Sequence, residues 1–219
     1  MGVFSGILDL LVPQKCTFCR KPLRSSESGL CGDCSRSLPF TQSNAKCSGD
    51  YFKVCVSPLY FSGKVREAIL RFKFRNATTY AGVFGKMVAD CIRENLSGCY
   101  DLISWVPLSA GRLKKRGYDQ SVLLAMAAAL ELDDVAVETL VKHNDVPEQA
   151  GMDSPEKRRA NIYGSYRASD PELIEGKRVL LIDDIITTGS TLSECARTLL
   201  DAGAKEVVCA TLARSENEN

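Results

Sequence analysis

The run RVLLIDD at residues 178–184 places four apolar side chains in a row and then two carboxylates. Successive side chains on a strand point to opposite faces, so a strand apolar at every position must be covered on both sides. That requirement is met by parallel sheets with helices on each face. Neighbouring stretches repeat the theme. VCVSPLYF (54–61), DLISWVP (101–107), DVAVETLVK (134–142) and KEVVCATLA (205–213) read as strands. Between them, GKVREAILRFKF (63–74), YAGVFGKMVADCIREN (80–95), YDQSVLLAMAAALEL (118–132) and STLSECARTLLDAG (190–203) read as helices. The alternation predicts an α/β fold with a mainly parallel, doubly wound sheet over residues 51–219.

In such sheets ligands bind beyond the carboxyl ends of the strands. Asp183 and Asp184 sit where the apolar run ends, and Thr187, Thr188, Gly189, Ser190 and Thr191 lead into the next helix. A helix amino end offers unpaired N–H groups and a positive dipole end, which suit a phosphate. Glycine permits close approach of the backbone, and the hydroxyls add donors. The two carboxylates would repel that anion. They suit hydroxyl donors or a divalent cation beside it. A ribose 5-phosphate supplies both halves. The stretch lacks the lysine of a Walker loop, and no G-x-G-x-x-G follows a strand. The competing interpretation is an ordinary strand-turn-helix with a capping Thr or Ser, which leaves the paired acids unexplained.

Ten cysteines are many for a chain with no evident secretory signal. Cys16 and Cys19 form one Cys-x-x-Cys pair and Cys31 and Cys34 another, eleven residues apart. Two such turns aim four thiolates at one point, the pattern of a structural Zn²⁺ site. Two disulfides or four unrelated thiols are the alternative. Residues 1–50 are therefore expected to form an N-terminal helix followed by a zinc knuckle. Cys47 and Cys55 are left out of the metal set, and Cys91, Cys99, Cys195 and Cys209 read as core filler. The first residues are too short an apolar stretch to span a bilayer, so no membrane insertion and a cytoplasmic location are expected.

Taken together, VLLIDDIITTGST (179–191), the cysteine pairs, AILRFKFRN (68–76), WVPLSAGRLKKRGYDQS (105–121) and EQAGMDSPEKRRANIYGSY (148–166) resemble the ComF family. These are competence-associated proteins with a zinc knuckle and a type I phosphoribosyltransferase fold. The resemblance implies that Asp183 and Asp184 accept hydrogen bonds from ribose hydroxyls and that residues 187–191 hold the 5-phosphate of phosphoribosyl pyrophosphate. It implies Mg²⁺ as a second cofactor, with Arg112, Lys115 and Arg116 of the loop PLSAGRLKKRG (107–117), together with Lys73, meeting the diphosphate. Residues 143–166 would close over the ligand and bring Arg158 or Arg159. A leaving pyrophosphate would be stabilised by Mg²⁺ and these cations, and the sugar cation by the carboxylates. Three positions depart from the family pattern: Asp119 replaces an Asn, Lys142 replaces an Arg, and only Cys47 remains of a second cysteine pair.

The resemblance further implies a role in DNA uptake, with single-stranded DNA and a competence helicase as partners. The alternatives are transfer to a nitrogen nucleophile in purine, pyrimidine or amine metabolism, and a non-catalytic sensor of the same ligand. The segment KVREAILRFKFR (64–75) interleaves basic and aromatic residues in the manner of a single-strand binder. Phe72, however, continues the apolar face of Val65 and Ile69 and is expected in the core.

Overall fold

The computed structural model describes residues 14–42, 46–143 and 162–216. The expected N-terminal helix, Arg158 and Arg159 lie outside the described residues. The elements run α1 (Gly32–Ser37), β1 (Cys55–Val56), β2 (Leu59–Tyr60), α2 (Gly63–Phe74), α3 (Tyr80–Leu96), β3 (Leu102–Trp105), α4 (Ala110–Arg116) and α5 (Gln120–Glu131). They continue through β4 (Leu140–Lys142), β5 (Tyr166–Ala168), α6 (Pro171–Ile174), β6 (Arg178–Ile186), α7 (Ser190–Asp201) and β7 (Glu206–Arg214).

The expected parallel sheet is present. β6 lies between β3 and β7, and β1 and β2 both pair with the outer side of β7, every pairing parallel. The apolar run of β6 is covered on both faces, as its pattern requires. Leu180 and Ile182 face the core formed with α2, α3 and α5, and Val179 and Leu181 face the core formed with α7. The four-cysteine segment belongs to the first of these cores. Phe18, between Cys16 and Cys19, packs its ring 5.8 Å from Phe84 of α3. Phe84 in turn meets Phe72 at 5.4 Å and Tyr80 at 5.8 Å.

Three expectations are corrected by the structure. The single strand expected at 54–61 is two short strands, because Pro58 lies between them and has no N–H to give the ladder. The strand expected at 134–142 is divided: Ala136 bridges Ile103 in parallel, and β4 then leaves the main sheet to pair antiparallel with β5. The basic segment at 110–116, read as loop, is the helix α4. It has no buried residue and hence no apolar stripe to announce it. Its signals are local: Gly117 closes it with a left-handed φ of 81°, and Lys114, Lys115 and Arg116 sit at its negative end. Among the described residues, no helix is long and apolar enough to cross a membrane.

Candidate functional site

β3 ends beside β6 just before the paired acids, with Trp105 in register with Ile182. β6 continues through the paired acids to Ile186, where Ile185 and Ile186 still pair with Ala213 and Arg214 of β7. The acids are thus held on a ladder and not on the turn, which begins at Thr187. Thr187 and Thr188 are exposed, Ser190 is buried, and the Thr188 and Ser190 hydroxyls are 2.9 Å apart. Gly189 holds φ 69° and ψ −2° at the amino end of α7, which no side chain caps. The first-turn N–H groups of this helix therefore point at the turn, and no acid in that turn competes for them. Phe52 lies beneath the turn: a Cβ added to Gly189 would stand 3.6 Å from its ring.

Asp183 is half-buried, and its Oδ1 accepts from the Ser121 hydroxyl at 3.0 Å and from the Asp184 N–H at 2.8 Å. Burial, reinforced by the neighbouring Asp184 charge, pushes its carboxyl up to about 7. Asp184 is 4% exposed, and its Oδ1 pairs with Lys73 Nζ at 2.9 Å. Its Oδ2 is buried with no hydrogen-bond partner among the described residues. A buried carboxylate oxygen left without a donor is the state expected of a group that serves a ligand hydroxyl or a cation. The donor set is therefore one that fits Mg²⁺ shared with ligand oxygens, the mode this hard cation favours.

Lys73, expected at the diphosphate, is placed against Asp184. Arg116 lies 4.8 Å over the Phe74 ring and donates to Gln120 Oε1 at 2.7 Å. Arg112 and Lys115 share α4 with it; burial raises the Tyr166 hydroxyl, the Asp183 charge adds to that rise and the Arg112 charge opposes it. Tyr166 itself is buried beside Lys142, whose Nζ donates to its hydroxyl at 3.1 Å. This pair closes the β4–β5 ladder at the base of the 143–166 stretch. Beyond it, Glu194 of α7 accepts from the Gly164 N–H at 2.7 Å and from Arg197. Burial works to raise the Glu194 carboxyl, and Arg197 with the Gly164 N–H brings it below the ordinary value.

Ser121 escaped the sequence reading, and Asp119 entered it only as a departure from the family pattern, without a structural role. Ser121 holds Asp183, as described. Asp119 caps α5 by accepting at Oδ1 from Ser121 and Val122 N–H, while its Oδ2 accepts from Leu108 N–H at 2.8 Å. It therefore fastens the loop after β3 to the helix that carries Ser121. The signal available was an acid directly before a helical run, a capping pattern.

In the N-terminal segment, the sulfurs of Cys16, Cys19, Cys31 and Cys34 lie within 4.8 Å of one another. Tetrahedral Zn²⁺ with bonds near 2.3 Å needs sulfurs roughly 3.8 Å apart, and Cys19 and Cys31 stand at 3.6 Å. The four residues fit the ion, and four thiolates leave it no open position, so its role is to hold the fold. Cys195 and Cys209 are fully buried core residues, as expected. Cys47 pairs across from Cys55 in an antiparallel bridge.

Two family models match separate parts of the chain. A phosphoribosyl transferase domain matches residues 119–218, and a double zinc ribbon domain matches residues 7–57. Competence protein F of Haemophilus influenzae is 29% identical, the alignment covering 92% of this chain and 97% of that protein. DNA utilization protein YhgH of Escherichia coli K12 is 28% identical, covering 93% of this chain and all of that protein. Competence protein ComFC of Bacillus subtilis is 27% identical, covering 95% of this chain and 88% of that protein.

Proposed function

We propose that this homologue of competence protein F, ComFC and YhgH, a zinc-ribbon protein with a type I phosphoribosyltransferase fold, binds phosphoribosyl pyrophosphate with Mg²⁺ and acts in DNA uptake. The observation that carries the ligand is the succession along one chain segment of Asp183, Asp184 with its orphaned Oδ2, and the left-handed Gly189 before an uncapped helix. The acids receive ribose hydroxyls or the ion, and the helix end receives the 5-phosphate. Mg²⁺, when bound, supplies charge that neutralises the diphosphate. Arg112 and Lys115 of α4 face the same purpose, with Arg158 or Arg159 added from the 143–166 stretch. The DNA role is supported by the names of the relatives and by the exposed Phe74 with Arg116 over its ring, a surface on which a base can stack.

Calorimetric titration with phosphoribosyl pyrophosphate tests the ligand. Binding is expected with Mg²⁺ and not with EDTA, and it is lost in Asp183→Asn/Asp184→Asn. Mg²⁺-independent binding, or equal binding by the variant, overturns the assignment. Pyrophosphate release in the presence of ammonia, amines or free bases separates a transferase from a sensor. Retention of single-stranded DNA that falls steeply with salt and with Lys115→Ala supports the DNA role, and affinity no higher than for another polyanion removes it.

A further inference from the structure

Four consecutive residues at the end of α2 reach four different parts of the molecule. One guanidinium nitrogen of Arg71 donates to the carbonyls of Thr17 and Phe18 at 3.0 and 2.7 Å. These two residues lie between Cys16 and Cys19, inside the four-cysteine cluster. Phe72 is fully buried against Phe84, and its carbonyl accepts from the Tyr118 hydroxyl. Lys73 pairs with Asp184, and Phe74 carries Arg116 over its ring. Positions two apart on a helix leave it about 200° apart. Arg71 and Lys73 therefore extend from opposite sides of one turn, toward the cluster and toward the acids of β6.

We propose that this turn couples the zinc cluster to the phosphoribosyl site, with Arg71 as the positioning residue. Its side chain is 17% exposed, and its Nε is buried with no hydrogen-bond partner among the described residues. Glu67 stands 3.6 Å from the guanidinium and the Tyr80 ring centroid 5.9 Å from it. The knuckle carbonyls are its two short hydrogen bonds, and they keep their place only while the Cys16–Cys19 turn is closed. Zinc closes that turn. Once it is removed, Arg71 loses both acceptors, and the last turn of α2 is released on the side opposite Lys73. The geometry of Lys73 against Asp184 then loosens with it. Linkage requires the reverse effect: a ligand that engages Asp184 while Lys73 holds it must retain zinc. Only this second arm rests on the phosphoribosyl assignment.

Hydrogen exchange of the full chain with and without zinc tests the first arm without any ligand. Removing zinc with a chelator is expected to raise exchange in residues 72–75 and 183–190 as well as in 16–34, and zinc-loaded Arg71→Met is expected to show the distal increase with the metal still bound. Exchange that changes in 16–34 alone, in both proteins, overturns the coupling even if phosphoribosyl pyrophosphate binds well. In the second arm, a chromogenic chelator follows zinc release with and without phosphoribosyl pyrophosphate and Mg²⁺. Release is expected to slow by about fivefold or more in wild type and to be insensitive to ligand in Arg71→Met. Unaltered release from a wild-type protein that demonstrably binds the ligand also overturns the coupling. Distal exchange changes in a protein that binds no ligand sink the phosphoribosyl assignment and leave the coupling standing.

Discussion

Lys73 crosses from the end of α2 to Asp184 near the end of β6 and pairs with it at 2.9 Å, with side chains 18% and 5% exposed. Removing one partner of a buried pair leaves the other charge without compensation, which costs about 3–5 kcal/mol, far more than the net value of the pair itself. Lys73→Met should therefore lower the unfolding free energy by that order in urea denaturation at pH 7.5. Lys73→Met/Asp184→Asn should regain most of the loss, because no bare charge remains. A double variant as unstable as the single one would show that Lys73 acts through packing.

Asp183 carries its own signature in pH. Burial and the neighbouring Asp184 charge push its folded carboxyl up to about 7, from the ordinary aspartate value near 3.8. The folded state thus keeps a proton that the unfolded chain has already released. The contribution of Asp183 to stability is fully present below about pH 4, falls as pH rises toward 7, and is level above that. The difference in unfolding free energy between wild type and Asp183→Asn should move in favour of the variant across this window, with a slope of at most about 1.4 kcal/mol per pH unit. Ligand affinity should run the other way. A carboxylate acceptor is needed, so binding tightens as pH rises through 7. A stability difference constant from pH 4 to 8.5 refutes the assignment.

Gly189 separates stability from binding. A Cβ there meets only ordinary contacts, the nearest at 3.6 Å, so the obstacle is the positive φ of 69° and not space. A non-glycine residue in this region costs about 1–2 kcal/mol, less for Asn. Gly189→Ala should lose about that much stability, with Gly189→Asn between it and wild type. Loss of affinity for phosphoribosyl pyrophosphate should exceed what the stability loss explains, because the backbone must approach the phosphate. Calorimetry on both variants, beside their melting curves, checks this.

The alternation of buried strands and helices was legible because it rests on patterns of period 2 and 3.6, which each segment carries within itself. α2 runs Gly63–Phe74 as the amphipathic pattern predicts. The paired acids and the glycine turn were legible for the same reason: they are contiguous. What was not legible depends on approach between distant segments. Lys73 is expected at the diphosphate from the resemblance, and only the approach of the end of α2 to β6 brings it to Asp184. Gly85 lets α3 approach α5 closely: a Cβ there would stand 2.5 Å from Ala127 Cβ and 2.7 Å from backbone of α5. α4 lacks an apolar face, so periodicity passes over it.

Zinc stoichiometry tests how the double zinc ribbon match applies to this chain. Among the described residues one group of four cysteines converges, and Cys47 faces Cys55 and not a second such group. Metal analysis of the purified protein should give one zinc per chain. Cys16→Ser or Cys34→Ser should lower it toward zero, and Cys47→Ser should leave it unchanged. Chelation should also destabilise the fold, since Phe18 shares the core of α2 and α3. Two equivalents, or loss of metal in Cys47→Ser, would contradict the single-site assignment.

Asp119 provides the test in which two effects oppose each other. Asp119→Asn removes a charge that the Asp184 carboxylate repels, which by itself relieves repulsion. It also replaces an oxygen by an NH₂ group. The two carboxylate oxygens divide the work, Oδ1 on the N–H groups of Ser121 and Val122 and Oδ2 on that of Leu108. An amide can satisfy only one side, and its NH₂ then faces a backbone donor. Burial is the largest influence raising the Asp119 carboxyl, and the repulsion from Asp184 ranks below all three of these N–H contacts, which lower it. The lost hydrogen bond should therefore outweigh the relieved repulsion. Asp119→Asn is expected to lose about 1–3 kcal/mol of stability. It should also weaken binding of phosphoribosyl pyrophosphate, because Leu108 leads into α4 with Arg112 and Lys115. Equal or greater stability in denaturant would show that repulsion among the three acids dominates this end of the sheet.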